Sequence, residues 1–288
     1  MKALVVGHAG FVGSHLAERL RSDGWIVTGF DLQTGQDARD INQLIRQMEG
    51  VGVVFHLAAH ADISQSAASP TIDLTDGTVI TSNVLEAMRI TGVNRIAYAS
   101  TSAVYGDVGS TLTDENFGPL KPTSTYAASK IACEALLSAY ATVFGISAIA
   151  FRFANVVGPR QPRGVAYDFV NRLRDNPDHL TIKGDGRQSK SYVHVTDLVD
   201  GIITALAKDD SPYSVYNIAT GDYLTAAEIA DIVCEVLDLK PIIDCAGGRS
   251  GWPGDVPVCR IDPSKLRSLG WTNRYGSREA VVNAVESM

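Results

Sequence analysis

A tyrosine and a lysine four residues apart, Tyr126 and Lys130, have the types and spacing that suit acid–base chemistry. The segment from Tyr126 onward is rich in helix-forming residues with apolar positions at helical spacing, which predicts a helix beginning there. Residues four apart on a helix share a face, so both side chains can reach one bound molecule. A phenol has a pKa near about 10, and a nearby ammonium lowers it. The pair can therefore take a proton from an alcohol, as hydride transfer from a carbinol carbon requires.

A hydroxyl residue at the end of a predicted strand, Thr101, adds a third group. Residues 95–100 are mostly apolar and predict a buried strand that Thr101 follows directly. A hydroxyl at that strand end can lie beside a cofactor and orient or relay the proton. The alternative is a Ser/Thr-rich loop without a chemical role.

The elements that must position these groups begin with a glycine-rich turn. Residues 3–6 form a short apolar run, Gly7, Gly10 and Gly13 follow, and residues 14–20 predict a helix. Strand, glycine turn and helix in this order are typical of a dinucleotide-binding motif, in which glycines let the backbone approach a pyrophosphate. The positive end of the helix dipole favours the phosphate charge.

An acidic residue at the end of the next predicted strand selects the cofactor. Asp31 follows the run 25–30, where a carboxylate can accept hydrogen bonds from the adenosine ribose hydroxyls. The same charge repels a 2′-phosphate, so we expect NAD rather than NADP; the alternative is an aspartate that only caps the next turn. Asp37 can meet the adenine edge, and the connection to it is so short that we expect a third strand there to be stunted or missing.

A further apolar strand, residues 51–57, leads into Ala58 and Ala59, whose small side chains leave room for a cofactor. Two histidines flank this point. We interpret His56 as a core residue with satisfied hydrogen bonds and His60 as part of a pocket wall.

Length, charge and cysteine usage limit the class of protein. A chain of 288 residues and 30.8 kDa can hold one large α/β domain or two modest ones. The net charge of −7 disfavours nucleic acid and anionic membranes as partners. No apolar run approaches the roughly 18 residues of a membrane span, and the N-terminus predicts a strand rather than a signal peptide. The four cysteines lack metal-binding spacing, so we expect no metal site and a reducing, cytoplasmic compartment.

The second half of the chain is organised differently. Pro159, Pro162 and Gly164 mark the change, and the following residues, 165–173, predict a helix. Farther on, the sequence predicts a turn at 184–186, a strand at 192–195, a helix at 197–207 capped by Thr196 and a helix at 226–237 capped by Thr225.

Segments spread over nearly the whole chain resemble the extended short-chain dehydrogenase/reductases, specifically the NAD-dependent nucleotide-sugar epimerases and dehydratases of the UDP-glucose 4-epimerase-like type. These segments are GHAGFVGSHL (7–16), HLAA (56–59), STSAVYG (100–106), YAASK (126–130), RFANVVGPRQ (152–161), GDGRQSKSYVHVTDLVDGI (184–202) and GDVPVCRIDPSKLRSLGW (254–271).

The resemblance implies an α/β fold, with a Rossmann-type, doubly wound parallel sheet and a smaller C-terminal substrate-binding domain. It implies an NAD-binding Rossmann domain over residues 1–154 and a sugar-nucleotide-binding region over 155–288. That region is interleaved, and about 189–219 returns to the Rossmann domain. It also implies a homodimer, paired through helices near 78–91 and 126–143.

The resemblance further implies a set of functional residues. The catalytic group is Thr101, Tyr126 and Lys130. The residues expected to bind NAD are Gly7, Gly10, Phe11, Val12, Gly13, Asp31, Asp37, Ala38, Leu57, Ala58, Ala59, Ser100, Tyr126, Lys130 and Phe153. Those expected to bind a nucleotide sugar, UDP-linked in this family type, are Ser102, Ala103, Asn155, Arg187, Lys190, Arg249, Trp252 and Cys259.

The residues at two positions limit which reactions of the family this chain can catalyse. In the 4,6-dehydratases the two residues after the catalytic threonine are acidic, because elimination of water needs an additional acid and base. Here they are Ser102 and Ala103, and Ala103 also replaces the glutamate of the decarboxylases. The remaining trio suffices to oxidise a sugar hydroxyl and reverse that step, which is the minimum for epimerisation at C4 through a 4-keto sugar.

Other positions bear on the substrate. Lys190 stands where the family has a diphosphate-binding arginine, and Trp252 replaces a second one, for which Arg249 can substitute. Arg187 is either an anion contact or a solvated surface charge. The resemblance implies that Cys259 lines the sugar C2 pocket, where a small residue in the family accompanies acceptance of N-acetylated sugars; the alternative is an ordinary buried cysteine.

Two competing functions remain. One is a nucleotide-sugar 4-ketoreductase or another NAD(P)-dependent sugar-nucleotide oxidoreductase, against which Asp31 argues. The other is a non-catalytic dinucleotide sensor, which has no need of the complete trio.

Overall fold

The computed structural model describes residues 1–60, 66, 68–252 and 254–288, which form fourteen strands and ten helices in those ranges. The strands are β1 (Lys2–Val6), β2 (Ile26–Phe30), β3 (Val53–His56), β4 (Arg95–Thr101), β5 (Leu112–Thr113), β6 (Ser147–Phe153), β7 (Asn155–Val157), β8 (His179–Ile182), β9 (Ser189–Lys190), β10 (Tyr192–His194), β11 (Tyr213–Ile218), β12 (Leu224–Thr225), β13 (Ile242–Cys245) and β14 (Arg260–Ile261).

The helices are α1 (Phe11–Ser22), α2 (Ile41–Gln47), α3 (Thr71–Asp73), α4 (Ile80–Thr91), α5 (Thr125–Phe144), α6 (Val165–Asp175), α7 (Val195–Lys208), α8 (Ala226–Leu237), α9 (Ser264–Ser268) and α10 (Ser277–Glu286). A π-helical segment, Leu74–Val79, joins α3 to α4, and short 3₁₀ turns occupy Leu32–Thr34 and Ser102–Tyr105. None of the described helices is long and apolar enough to cross a membrane.

The central element is a six-stranded sheet in the order β11-β6-β4-β3-β1-β2. The pairs β1–β2, β1–β3 and β3–β4 are parallel. Leu4 and Val6 of β1 pack in a cluster with α2, α4 and α5, while Ala3 and Val5 are buried on the opposite face. Burial on both faces explains why these strands are nearly continuous apolar runs. The predicted α/β fold with a Rossmann-type parallel sheet is confirmed.

Two predictions about helix starts have different outcomes. Thr225 caps α8 as expected: its side chain accepts from the Glu228 amide, and the Glu228 carboxylate accepts from the Thr225 amide. The prediction that Thr196 caps a helix is wrong, because α7 already begins at Val195. The Thr196 hydroxyl instead pairs with Nδ1 of His194 at 2.7 Å.

The expectation that a third strand after Asp31 is stunted or missing is confirmed. Between β2 and β3 the structure describes every residue, and these form only the 3₁₀ turn Leu32–Thr34 and the helix α2, with no strand.

The chain divides into two compact units. The first comprises residues 1–104, 124–152 and 202–216, and the second comprises 105–123, 153–201 and 217–288. Residues 105–123 therefore cluster with the second unit, and residues 202–216 cluster with the first. Which ligand each unit binds stays a prediction.

Each unit has its own apolar core. In the first, side chains of β1, β3, β4 and β6 pack with those of α2, α4 and α5. In the second, α6, α8 and α10 contribute most of the buried residues, together with Leu180 and Ile182 of β8. Each core gives its unit a stable frame for the polar groups described below.

A buried ion pair in the first unit joins α5 to the sheet. Glu134 of α5 accepts from Nη2 of Arg152 at 2.7 Å and from Nε at 3.1 Å, and both side chains are less than a tenth exposed. The hydroxyl of Ser100 on β4 donates to the same carboxylate at 2.5 Å. A buried carboxylate needs such partners because its desolvation is costly.

We expect Arg152→Met to lower the free energy of unfolding by about 3–5 kcal/mol, because the Glu134 carboxylate would stay buried without its guanidinium partner. Urea denaturation measures the change. Arg19→Met, which opens the exposed Arg19–Asp23 pair, is the matched control and should leave the midpoint unchanged. A loss below about 1 kcal/mol in Arg152→Met would contradict the prediction.

Candidate active site

The glycine turn after β1 is shaped by contacts that exclude side chains. Gly7 has φ +93°, and a Cβ there would lie 2.6 Å from the Ala58 nitrogen. A Cβ at Gly13 would lie 2.0 Å from the Gly7 carbonyl oxygen. Both positions therefore require glycine, and α1 begins in direct contact with the turn.

The start of α1 fits a dinucleotide phosphate. Gly10 occupies the N-cap position, where the structure describes no side-chain cap, and Phe11, Val12 and Gly13 follow in the first turn. The amides of a helix's first turn point out of its N-terminus, where an anion can accept their hydrogen bonds. Together with the tight glycine turn, this makes the residues fit the pyrophosphate of NAD.

Asp31 at the end of β2 is tied to this turn. Its Oδ2 accepts from the Ala9 amide at 3.0 Å, and its Oδ1 accepts from the Gln33 amide at 2.9 Å. The carboxylate thus caps the 3₁₀ turn, as the alternative interpretation expects, and at the same time braces the glycine turn. Its bond to a ribose stays a prediction.

Asp37 is paired within its own loop. Arg39 donates to both carboxylate oxygens from Nε and Nη2, and this side-chain bonding lowers the pKa of Asp37. Ala38 is buried, and its carbonyl accepts from the Asn83 side chain. Neither arrangement tests the predicted contacts with adenine.

The end of β3 places small residues beside the glycine turn. The amides of Leu57 and Ala58 both donate to the Val6 carbonyl, at 2.8 and 2.9 Å, and Ala58 and Ala59 are half-buried. This geometry holds the chain close to Gly7 and leaves no bulky side chain there.

His56 is fully buried, and one of its two ring nitrogens has a hydrogen-bond partner. Its Nε2 pairs with the Thr81 hydroxyl at 3.0 Å, whereas its Nδ1 has no partner among the described residues. Burial, and then the charge of Lys130, lower the pKa of His56 to about 3, so the ring is neutral. The interpretation as a core residue with satisfied hydrogen bonds is therefore wrong for one nitrogen. His60 lies with Nδ1 3.7 Å from the Asp73 carboxylate.

Tyr126 and Lys130 lie near the start of α5, as the sequence predicts. Ser124 caps this helix by accepting from the Ala127 amide. The Lys130 ammonium lies 5.8 Å from the centre of the Tyr126 ring and 4.7 Å from that of Tyr98. Tyr126 is half-buried while Lys130 is almost fully buried, so the lysine lies deeper in the unit than the tyrosine.

Burial lowers the pKa of Lys130 to about 8, whereas the nearby Cys133 and Glu134 raise it. The ammonium donates to the Ala99 carbonyl of β4 at 2.6 Å, which fixes its position. A cation held beside a phenol favours the phenolate, which is the form that can accept a proton.

The end of β4 supplies the other predicted groups of this unit. Thr101 is half-exposed, and its Oγ1 accepts from the Ala103 amide at 3.2 Å. Ser102 and Ala103 are also half-exposed and begin the 3₁₀ turn. The Ser100 hydroxyl, by contrast, points to Glu134, so its side chain serves the buried network.

In the second unit, two predicted anion contacts are already paired with carboxylates. The Lys190 ammonium lies 2.7 Å from Asp255 Oδ1 and 5.3 Å from the Trp252 ring centre. Arg249 bridges to Asp107 at 3.0 Å. Asp255 also accepts from the Gly251 amide, so one carboxylate organises the loop that carries Trp252.

The remaining predicted residues of this unit are more open. Arg187 is exposed, as the surface-charge alternative expects. The Asn155 side chain bonds to the Tyr192 hydroxyl, whose pKa is raised by burial. Phe153 ends β6, and Cys259 is half-buried with its amide donating to the Ser189 carbonyl.

The sequence analysis missed three acidic residues. Glu134 continues the spacing of Tyr126 and Lys130 by four more residues, so the helical period could have indicated it. Asp255 lies in one of the family-like segments but was assigned no role. Asp73 was missed because its link to the catalytic segment, through Thr125, spans 52 residues of sequence.

No group of three or more His, Cys, Asp or Glu side chains in the described ranges could hold a metal ion. None of the four cysteines, all of them described, forms a disulfide.

Comparisons with known proteins agree with this geometry. The sequence model of the NAD dependent epimerase/dehydratase family matches residues 3–219. The UDP-glucose 4-epimerase of Mycolicibacterium smegmatis is 30% identical, over 99% of this chain and 98% of its own. A crystal structure of UDP-galactose 4-epimerase, 36% identical, superposes with a TM-score of 0.89 over 100% of this chain and 98% of that one. The UDP-glucose 4-epimerase of Thermus thermophilus in complex with NAD, 32% identical, has the same TM-score and coverage.

The buried ammonium should cost stability at neutral pH. Because the pKa of Lys130 falls from 10.5 to about 8 on folding, the unfolded chain binds more protons between these values. Stability should therefore rise as pH increases from about 8 to 10.5. We expect Lys130→Met to raise the free energy of unfolding at pH 7 by about 2 kcal/mol, after allowance for the lost hydrogen bond.

Chemical denaturation at pH 7 and pH 10 measures this gain, which should shrink severalfold at the higher pH. Lys240→Met, at an exposed position, is the control and should show no pH-dependent gain. A gain of equal size at both pH values, or a loss at pH 7, would contradict a depressed pKa at Lys130.

Proposed function

Because the chain belongs to the NAD dependent epimerase/dehydratase family, we propose that it epimerises C4 of a nucleotide-linked hexose of the UDP-glucose and UDP-galactose type. The cofactor is NAD. The observation that carries the proposal is the grouping of Tyr126 and Lys130 on α5, with Thr101 at the end of β4, beside Ser102 and Ala103, which cannot act as acids.

The residues of this chain divide the chemistry between them. NAD, which the glycine turn and the first turn of α1 would hold, would supply the hydride chemistry at the sugar carbon. Tyr126 takes the proton of the C4 hydroxyl and gives it back after the 4-keto sugar has turned in its pocket. Lys130 favours the phenolate, and Thr101 orients the hydroxyl that loses its proton. No further acid or base is needed, since no water is eliminated.

We propose that the second unit contributes the nucleotide-sugar contacts. Arg187 is exposed and Asn155 bonds to the Tyr192 hydroxyl, whereas Lys190 and Arg249 have carboxylate partners that a diphosphate would have to displace or share. Trp252 is 40% exposed and can stack on a ring of the ligand.

Two alternatives are distinguished by what the protein does with the cofactor. A 4-ketoreductase consumes NAD(P)H to reduce a keto sugar, and in reverse, with UDP-glucose and NAD⁺, it would release NADH; an epimerase instead returns the hydride to the sugar. A dinucleotide sensor would bind NAD without converting a sugar.

A homodimer and a cytoplasmic location remain predictions. The helices expected to pair expose Ile90 on α4 and Val143 and Phe144 on α5, each by about half or more. Such apolar side chains favour a contact with a second copy.

Tyr126→Phe should reduce interconversion of UDP-glucose and UDP-galactose by roughly 10²–10⁴-fold, because it removes the titrating group and keeps the ring. Separation of the two sugars after incubation measures turnover, and absorbance of free NADH reports any release. Binding of NAD should persist.

Tyr140→Phe is the matched control, since Tyr140 lies on the same helix away from Lys130, and turnover should be retained. Near-normal activity of Tyr126→Phe would remove Tyr126 from the mechanism. Accumulation of free NADH in the wild type would favour the ketoreductase.

Cys259→Tyr should reduce turnover of N-acetylated hexoses more than turnover of plain hexoses. A tyrosine would fill the space that we assign to the C2 acetamido group, and overpacking there costs about 1–3 kcal/mol, roughly 5- to 150-fold. Turnover of UDP-GlcNAc should fall by that factor more than turnover of UDP-glucose. Cys245→Tyr, at an exposed site, should affect neither. Equal losses, or no wild-type activity on UDP-GlcNAc, would overturn this assignment.

A further inference from the structure

A buried carboxylate that the mechanism does not use lies next to the start of the catalytic helix. Asp73 is 2% exposed and is the last residue of α3, immediately before the π-helical segment. Its Oδ2 accepts from the Thr125 hydroxyl at 2.7 Å, and its Oδ1 accepts from the buried Ser66 hydroxyl at 3.0 Å. His60 faces the same oxygen at 3.7 Å.

The hydrogen bond between Thr125 and Asp73 lies at the start of α5, next to Tyr126. Thr125 is the first residue of α5, and Tyr126 is the second. The first turn of a helix lacks the full set of intrahelical hydrogen bonds, so it frays unless side chains hold it. Ser124 holds the turn from within the helix, through the Ala127 amide. Asp73 holds it from a different element, 52 residues away in sequence.

A second contact keeps the two elements at a fixed separation. A Cβ on Gly77, in the π-helical segment, would lie 2.9 Å from the Ser129 hydroxyl oxygen of α5. Ser129 in turn donates to the Tyr126 carbonyl at 2.8 Å. The π-helical segment that follows Asp73 therefore packs directly on the part of α5 that carries Tyr126.

We propose that Asp73 is a positioning residue, which acts through Thr125 to fix the first turn of α5 and with it the Tyr126 hydroxyl. A hydrogen bond from a hydroxyl to a carboxylate is shorter and stronger than one between neutral groups, so it restricts the turn to one position. The substrate oxygen must meet the phenol at hydrogen-bond distance, and a shift of about 1 Å there costs up to a hundredfold in rate.

This inference rests on the proposed epimerase function for its kinetic test. Thr125→Val removes the donor and keeps the shape of the side chain. We expect kcat for UDP-glucose to fall about tenfold while KM stays within about twofold, because the turn moves but the sugar nucleotide still binds. Thr125→Ser keeps the donor and should recover most of kcat.

Thr142→Val is the matched control, because Thr142 is an exposed threonine near the other end of the same helix, and its hydroxyl donates to the Ser138 carbonyl of that helix. It should leave kcat unchanged. Asp73→Asn should lower kcat as Thr125→Val does, and the double variant should lose little more than either single one, since both act on one bond.

A readout independent of turnover separates failure of this inference from failure of the proposed function. Amide hydrogen exchange should speed up over residues 126–130 in Thr125→Val and stay unchanged over 136–144. If the wild type converts no UDP-hexose but this pattern appears, the proposed function fails and the positioning role stands. Unchanged exchange at 126–130, or kcat of Thr125→Val within twofold of the wild type, would overturn the role of Asp73.

Discussion

The burial of charge on one face of α5 is the constraint on which the first unit depends. Tyr126, Lys130 and Glu134 follow each other at intervals of four residues, and the last two are buried. A helix can bury a cation and an anion against a sheet only where the sheet offers matching groups. Here β4 offers the Ala99 carbonyl and the Ser100 hydroxyl, and β6 offers Arg152. The reactive and the structural groups are thus held by the same contact between α5 and two strands.

The second unit uses charge in a different way. Its candidate anion contacts, Lys190 and Arg249, each have a carboxylate partner in the structure. A ligand phosphate that bound Lys190 and Arg249, as we propose, would compete with Asp255 and Asp107, so its affinity would depend on how readily those ion pairs open. In a lysine the charge is a single point, which can be shared between two anions more readily than a bidentate arginine fork.

Local patterns were sufficient to predict much of this molecule. Strands β1 to β4 and β10, the glycine turn, the start of α5 and the Tyr126–Lys130 pair follow from periods and spacings that span a few residues. The prediction of a cap at Thr196 was wrong because α7 begins one residue earlier, at Val195, and residue preferences do not locate a helix start to within one residue. The pairing of Lys190 with Asp255, of Arg249 with Asp107 and of Thr125 with Asp73 could not be predicted, since the two members of each pair lie more than fifty residues apart and meet only when the chain folds back.

The π-helical segment between α3 and α4 carries a geometric consequence. A π-helical turn accommodates one residue more than the α-helical turn it replaces, without breaking the helix. Removing one residue from Leu74–Val79 would therefore convert this turn to α-helix and leave the residues before it oriented as they are relative to α4. In a regular α-helix the same deletion turns everything before it by about 100° about the axis. A deletion in the π-helical segment should thus keep Asp73 directed at Thr125, whereas the same deletion within α4 should turn it away.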